Sequence, residues 1–164
     1  NHVNPEVIYK VATTFKGVEH RIELVRELNG VKFYNSSIDS SPSRTIACLN
    51  TFRQKVILIA GGKDKGIPYD AIGEHIVEKV KCLVLIGATA PKIEKSLDDA
   101  IERTGKGKEI ERIHCTTYEE AVKSAYSRAQ AGDIIVLSPA STSFDMFKNF
   151  EERGRKFKEI VMGL

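Results

Sequence analysis

The sequence predicts an α/β fold, a doubly wound and mostly parallel sheet of about six strands with an antiparallel hairpin at one edge. Short apolar runs such as Val56–Ala60 and Cys82–Ile86 alternate with segments of helical periodicity. Runs of this kind are typical of strands covered on both faces, and the alternation favours parallel strands joined by crossover helices. Asn29-Gly30, between two strand-like runs, predicts the hairpin.

A helix and the hairpin are predicted at the start of the chain. Asn4 followed by Pro5 indicates a helix start, because Asn caps helices and proline is favoured in the first turn. Apolar residues then recur at helical spacing, and Gly17 ends the segment. The hairpin strands are expected at Ile22–Leu28 and Val31–Tyr34.

From Pro42 onward the two periodicities alternate along the chain. Pro42 and Pro91 are each expected to open a helix. Strands are predicted at Val56–Ala60, Cys82–Ile86, Ile110–Ile113 and Ile134–Leu137, and further helices at 72–80, Tyr118–Ala129 and Met146–Val161. The whole pattern is Rossmann-like, a sheet with helices on both faces.

Composition excludes several classes of protein. The net charge of +3 over 164 residues is small and not clustered, which argues against nucleic acid as a partner. No apolar run reaches the roughly 20 residues that cross a bilayer, and no signal peptide is present. We therefore expect a cytoplasmic protein. Because the chain begins at Asn1 without methionine, we also expect a fragment of a longer protein.

The cysteines and histidines give no sign of a metal or thiol site. Cys48, Cys82 and Cys115 are far apart and form no CxxC pair, so they are interpreted as reduced thiols. His114 and Cys115 are neighbours on a predicted strand and should point to opposite faces. The four histidines lack metal-ligand spacing.

Three unusual loops follow predicted strands, and ligands in such sheets bind beyond the carboxyl ends of the strands. The first loop (35–45) is rich in hydroxyl and amide side chains before a helix start, which suits an anion. The second loop (61–66) combines paired glycines with lysines, and the third loop (138–145) carries four more hydroxyl residues. Each could also be an ordinary capped turn.

Together the loops predict a site that holds anions. A phosphate-binding GxxxxGK[ST] loop and a GxGxxG fingerprint are both absent from the sequence. The loops also carry no evident nucleophile or general base, so no catalytic residue is predicted. Near the third loop, helical spacing favours Phe147 and Phe150 as core residues, whereas Phe144 does not fit that pattern.

The segment Ser138–Gly154, SPASTSFDMFKNFEERG, resembles the closing motif of the Mur ligases that add D-glutamate to a cell-wall precursor. His20-Arg21-Ile22-Glu23, the first loop and the second loop follow in the order and at the intervals of that family. The resemblance covers the whole chain. It implies that residues 1–17 are the tail of a central ATPase domain and that residues 18–164 are the C-terminal domain.

In that family the complete enzyme uses ATP and Mg²⁺ to form an acyl phosphate on UDP-N-acetylmuramoyl-L-alanine, which the amine of D-glutamate then attacks. The resemblance implies a monomer with covalently linked N-terminal and central domains, and an isolated C-terminal domain without activity or a metal site. The residues implied to bind D-glutamate are Ser40, Lys65, Ser143, Phe144 and Phe150. The residues implied to face the nucleotide are His20, Arg21, Asn35 and Ser36.

Two alternatives remain at this stage. One is the homologous domain of another Mur-type, folate or cyanophycin ligase that uses a different amino acid. The other is a non-catalytic module that binds an amino acid or a nucleotide. Many relatives begin the first loop with Asp-Ser-Lys, where this chain has Ser36-Ser37-Ile38, so Asn35 or Asp39 is the candidate to replace the missing carboxylate.

Overall fold

The computed structural model describes residues 4, 6, 7, 9 and 17–164. The helix expected between Asn4 and Gly17, and the assignment of residues 1–17 to a preceding domain, therefore fall largely outside the described residues. The described part contains one six-stranded sheet in the order β1-β2-β6-β3-β4-β5. The strands are β1 (Glu23–Leu28), β2 (Val31–Asn35), β3 (Val56–Ala60), β4 (Val80–Ile86), β5 (Glu111–Cys115) and β6 (Ile134–Leu137).

Five helices of the described region cover both faces of this sheet. They are α1 (Pro42–Thr51), α2 (Ile72–Lys79), α3 (Ala90–Thr104), α4 (Tyr118–Ser127) and α5 (Phe150–Met162). Leu58 points into a core that it shares with α1, α2 and α3. Its neighbour Ile57 points into a second core under α4 and α5. This alternation on one strand explains why the run Val56–Ala60 is apolar throughout.

All strand pairs are parallel except β1 with β2, so the predicted fold class is confirmed. The turn between β1 and β2 has positive φ at both Asn29 (51°) and Gly30 (79°). Positive φ at both central residues defines the two-residue hairpin turn that Asn-Gly favours. The hairpin predicted from these two residues is therefore confirmed.

The order of the strands places a crevice between β6 and β3. From β3 the chain moves outward to β4 and β5, and then returns to β6, which lies between β2 and β3. A reversal of this kind separates the loops on either side and is where ligands bind in open α/β sheets. The loops after β2, β6 and β3 leave three adjacent parallel strands at the same edge, as the sequence predicts.

The last helix begins later than predicted. Helical spacing predicts a start at Met146, but α5 starts at Phe150. The Ser143 carbonyl accepts from the N–H groups of Met146 and Phe147, which makes a turn that does not continue. Asn149 is extended (φ −160°), and its Oδ1 accepts from the N–H of Glu152 at 2.8 Å as the helix cap. The predicted helix start at Met146 is therefore wrong by four residues.

The cysteines behave as expected of reduced thiols. Cys48 and Cys82 are buried, Cys115 is partly buried, and all three are free. The Cys115 thiol lies 3.9 Å from the Ser124 hydroxyl, whereas His114 contacts Glu94, so the two side chains do not meet. Within the described residues no helix is both long and apolar enough to cross a membrane.

Candidate functional site

A buried arginine joins the first loop to the third. Arg153, in the first turn of α5, has no exposed surface. Its Nε and Nη2 donate to the Ser37 hydroxyl and carbonyl at 2.9 and 2.7 Å, and its Nη1 donates to the Ser141 carbonyl at 2.9 Å. The Ser37 hydroxyl in turn donates to the Phe150 carbonyl at 2.7 Å. One guanidinium thus sets the spacing between the two loops and α5.

The second loop is fixed to the third by backbone hydrogen bonds. The N–H of Lys63 donates to the Thr142 carbonyl at 2.9 Å, and the Thr142 hydroxyl donates to the Lys63 carbonyl at 3.1 Å. Gly62 has φ of 151°, and a Cβ there would collide with the Thr142 carbonyl. Only glycine therefore permits this close approach. The three predicted loops are one connected unit.

The hydroxyl groups beneath the loops make hydrogen bonds that stabilise the loops. The Ser141 hydroxyl is 2.8 Å from the Tyr69 hydroxyl and 2.7 Å from that of Thr89. The Ser138 hydroxyl donates to the Asp39 carboxylate at 2.7 Å. Burial raises the pKa of Asp39, and it raises the pKa of the adjacent Cys48 thiol to about 12. These groups have structural partners, and the thiol is not a nucleophile at neutral pH.

Two cavities open beside the connected loops. We call the first the Phe150 cavity; it has a volume of about 300 Å³ and is lined by Ser40, Thr142, Ser143, Phe144, Asn149, Phe150 and Glu151. We call the second the Arg21 cavity; it has about 280 Å³ and is lined by Arg21, Ile22, Ser36, Ile38, Asp39, Arg44, Ala47, Cys48 and Thr51.

Four of the five residues predicted to bind D-glutamate line the Phe150 cavity: Ser40, Ser143, Phe144 and Phe150. Phe144 is 62% exposed, consistent with the expectation that it is not a core residue. Phe150, which helical spacing favoured as core, is only partly buried. Lys65 does not line the cavity. It is exposed on the second loop, two residues from the Lys63–Thr142 bridge.

Two arginines and the buried carboxyl group of Asp39 line the Arg21 cavity, whose walls are otherwise largely apolar. The guanidinium groups of Arg21 and Arg44 make no hydrogen bond or ion pair with any described residue. Arg44 lies in the first turn of α1, where a positive charge opposes the helix dipole. An anionic ligand would offset this unfavourable placement. Of the four predicted nucleotide residues, Arg21 and Ser36 line this cavity.

The other two predicted nucleotide residues, His20 and Asn35, are buried and line neither cavity. The amide nitrogen of Asn35 is 3.0 Å from His20 Nδ1 and donates to Glu23 Oε2 at 3.1 Å. Its oxygen accepts from the N–H of Ser37, which fixes the orientation of the amide. His20 Nδ1 is therefore the acceptor and Nε2 carries the proton. Burial lowers the pKa of His20.

One group of side chains in the described region has the composition of a metal site. Carboxylate and ring atoms of Glu19, His20 and Glu23 all lie within 4.8 Å of one another. The Lys158 ammonium, however, is 2.8 Å from Glu19 and 2.9 Å from Glu23, so a lysine already supplies the positive charge. Mg²⁺ prefers an octahedron of oxygen ligands, and this cluster does not fit it.

Arg153 and Glu151 are absent from the sequence prediction. For Arg153 a signal was available, because it falls between Phe150 and Phe157 on the apolar face of α5. A charged residue at an apolar position of a helix indicates a buried contact. Glu151 gives no such signal, since an acidic residue in the first turn is favourable on any helix.

The fold and this group of loops belong to a known family of domains. Residues 20–141 match the family described as Mur ligase, glutamate ligase domain, and the chain belongs to that family. The UDP-N-acetylmuramoylalanine–D-glutamate ligase of Acetivibrio thermocellus is 72% identical over 97% of this chain. The enzyme of the same name from Ruminiclostridium cellulolyticum is 66% identical over all of it. The chain spans about a third of each relative, 34% and 35% of their lengths.

Solved structures share the fold at low sequence identity. The bifunctional folylpolyglutamate synthase/dihydrofolate synthase of Yersinia pestis superposes over 100% of this chain and 36% of its own, with a TM-score of 0.63 and 14% identity. At that identity the likeness concerns the fold alone. It agrees with the six-stranded sheet and its antiparallel edge.

Proposed function

We propose that this chain is the amino-acid-binding domain of an ATP-dependent ligase that joins D-glutamate to UDP-N-acetylmuramoyl-L-alanine through an acyl phosphate. The observation that carries the proposal is that nearly all of this chain matches about a third of two ligases of that name, at 72% and 66% identity. The Phe150 cavity supports it, because four residues implied by the family resemblance line one pocket of about 300 Å³. Residues 18–164 would form the domain, and residues 1–17 the end of the ATPase domain before it.

In this proposal the two ends of D-glutamate have different partners. Lys65 pairs with one carboxylate, aided by the Ser40 hydroxyl, and Ser143 with Phe144 holds the other end. The ring of Phe150 packs on the carbon chain between them. A lysine–carboxylate contact is charge-assisted and stronger than a neutral hydrogen bond. The bridge between Lys63 and Thr142 supports this arrangement, since it keeps the loop of Lys65 beside the third loop.

The nucleotide is proposed to approach the Arg21 cavity. Arg21 and Ser36 would contact it directly, and the free guanidinium groups suit its phosphates. His20 and Asn35 would act indirectly, because their polar atoms hold the segment before β1 against the first loop. In this proposal Asp39 supplies the carboxylate that many relatives carry at the position of Ser36. Asp39 is buried, and it also makes hydrogen bonds to three neighbouring side chains.

The remaining partners of the reaction belong to the longer protein. Mg²⁺ supplies charge neutralisation for the phosphates when it is bound with ATP, and we assign it no ligand in this chain. UDP-N-acetylmuramoyl-L-alanine would bind the covalently linked domains. We further propose a cytoplasmic monomer that binds neither nucleic acid nor membranes, and an isolated domain that is inactive.

Phosphate release by the full-length protein tests the proposal. With ATP, Mg²⁺ and UDP-N-acetylmuramoyl-L-alanine present, D-glutamate should stimulate release, whereas L-glutamate and L-lysine should not. Stimulation by L-glutamate with a folate acceptor, or by L-lysine, would favour another ligase of the same fold. No stimulation by any amino acid would reject the proposal.

Calorimetry on this chain alone separates the ligase domain from a non-catalytic sensor. Binding of D-glutamate or ATP should be millimolar or undetectable, because other domains complete each site. Micromolar binding of either ligand by the isolated chain would favour the sensor.

A further inference from the structure

Glu151 is the only ionisable residue among those that line the Phe150 cavity. It is partly buried in the first turn of α5. Its carboxylate makes no hydrogen bond or ion pair with any residue that the structure describes. A cavity with three hydroxyl groups, one amide and two aromatic rings therefore carries a single negative charge, and that charge has no partner.

The neighbouring acid shows that helix capping does not explain this placement. Glu152 accepts from the N–H of Lys148 at 2.8 Å, so its carboxylate completes the start of α5. Asn149 caps the same turn through its side-chain oxygen. Glu151 takes no part in these contacts. An acid in the first turn gains a little from the helix dipole on any helix, but Glu151 also lines a cavity.

The sign of this charge restricts what can lie beside it. The proposed substrate has two carboxylates and one ammonium group. A carboxylate placed against Glu151 would be repelled, whereas an ammonium group would form a charge-assisted hydrogen bond with it. Lys65, outside the cavity on the second loop, is the complementary partner for a carboxylate. The two charges thus define one orientation of an amino acid across the site.

We propose that Glu151 binds the ammonium group of the incoming amino acid, and so distinguishes an amino dicarboxylic acid from a dicarboxylic acid that lacks the amine. This inference rests on the proposed function and extends it. Glu151 is then a residue that determines both substrate specificity and the direction from which the amine reaches the reaction centre.

Kinetics of the full-length protein with D-glutamate and with glutarate, its analogue without the amine, test the assignment. Glu151→Gln should raise KM for D-glutamate about tenfold or more, while KM for ATP changes less than twofold. The inhibition constant of glutarate should stay the same or fall, because glutarate offers nothing to the carboxylate. Glu151→Asp keeps the charge on a shorter side chain, so its KM for D-glutamate should lie between those of the wild type and Glu151→Gln. Glu159→Gln, on the exposed face of the same helix, is the matched control and should match the wild type.

The glutarate constant also reports that the cavity is intact in the variant. An unchanged KM for D-glutamate in Glu151→Gln would overturn the proposal. So would a parallel rise in KM for D-glutamate and in the glutarate constant, since it would indicate general damage to the cavity. A wild-type protein without D-glutamate-dependent phosphate release would instead reject the proposed function, and the role of Glu151 with it.

Discussion

The Phe150 cavity and the Arg21 cavity differ in charge although the same loops build both. They have similar volumes, about 300 and 280 Å³. One is lined by a single carboxylate without a hydrogen-bond partner among the described residues, and the other by two guanidinium groups and the buried carboxyl group of Asp39. Size therefore does not distinguish their ligands, but charge does. The first suits a group with an amine, and the second suits a polyanion such as a nucleotide.

Arg153 is the residue that couples the two cavities. Ser37, which receives two of its hydrogen bonds, is next to Ser36 in the Arg21 cavity. Ser141, which receives the third, is next to Thr142 in the Phe150 cavity. Burial lowers the pKa of Arg153, whereas interactions with Tyr118, Asp145 and Asp39 oppose that shift. Burial of this cation is unfavourable, but its hydrogen bonds to Ser37 and Ser141 fix the position of both loops.

The largest effect is expected from Arg153→Met, which should disturb both cavities at once. It leaves the buried carbonyls of Ser37 and Ser141 without donors. We expect the free energy of unfolding to fall by about 3 kcal/mol. We also expect kcat/KM for D-glutamate and for ATP to fall together by about 100-fold, the usual cost of a displacement near 1 Å.

Denaturant unfolding and steady-state kinetics of the full-length protein check this prediction. Arg155→Met removes an exposed arginine of the same helix and should leave both quantities unchanged. If Arg153→Met affected only one of the two substrates, the two cavities would not share a common support.

Lys65→Ala should weaken binding of D-glutamate without affecting binding of ATP. Loss of the charge-assisted contact should raise KM for D-glutamate tenfold or more, about 1.4 kcal/mol. KM for ATP should change little. Lys106→Ala, at the opposite end of the sheet, serves as the control in the same assay. A KM for D-glutamate equal to that of the wild type would remove Lys65 from the site.

Arg21→Ala should weaken binding of ATP without affecting binding of D-glutamate, and the change in KM should be smaller than that caused by Lys65→Ala. We expect KM for ATP to rise about fivefold, because a second unpaired guanidinium, Arg44, remains in the Arg21 cavity. KM for D-glutamate should not move. KM for ATP should rise more in the double variant with Arg44→Ala than in either single variant. A KM for ATP equal to that of the wild type in all three variants would show that the cavity does not receive the phosphates.

The smallest effect concerns His20, which supports the first loop without lining a cavity. Burial lowers its pKa below the ordinary value of 6.5, so the unfolded chain binds a proton that the folded chain resists. The free energy of unfolding should therefore fall as pH decreases below about 6.5. His20→Gln should reduce this dependence in denaturant unfolding between pH 7.5 and 5.5. A dependence that is identical in His20→Gln and the wild type would show that another group titrates.

Much of the fold is predictable here because its signals are local. Val56–Ala60 is confirmed residue for residue, and Asn29-Gly30 gives the hairpin through its φ preferences alone. The start of α5 was missed because Phe147 and Phe150 continue the helical spacing across a break that Asn149 imposes. Periodicity records which face is apolar, and it does not record where the backbone leaves the helix.

The candidate site was predicted as a set of loops, and its internal contacts were not. Asn35 and Ser36 are neighbouring polar residues of the first loop, and the sequence does not distinguish their roles. Only Ser36 lines a cavity, because the amide nitrogen of Asn35 contacts His20 and Glu23. Glu151 carries no local signal, because the cavity that it lines is formed together with residues of the first and third loops. Such long-range contacts are not encoded in spacing along one helix.

We propose that the three loops together hold D-glutamate between Lys65 and Glu151. A crystal structure of the full-length protein with D-glutamate bound would show the contacts of both side chains. We expect a carboxylate of the ligand within hydrogen-bond distance of Lys65 Nζ and its amine facing the Glu151 carboxylate, with the carbon chain on the ring of Phe150. D-Glutamate bound outside the Phe150 cavity, or in it with a carboxylate toward Glu151, would show that this arrangement is wrong.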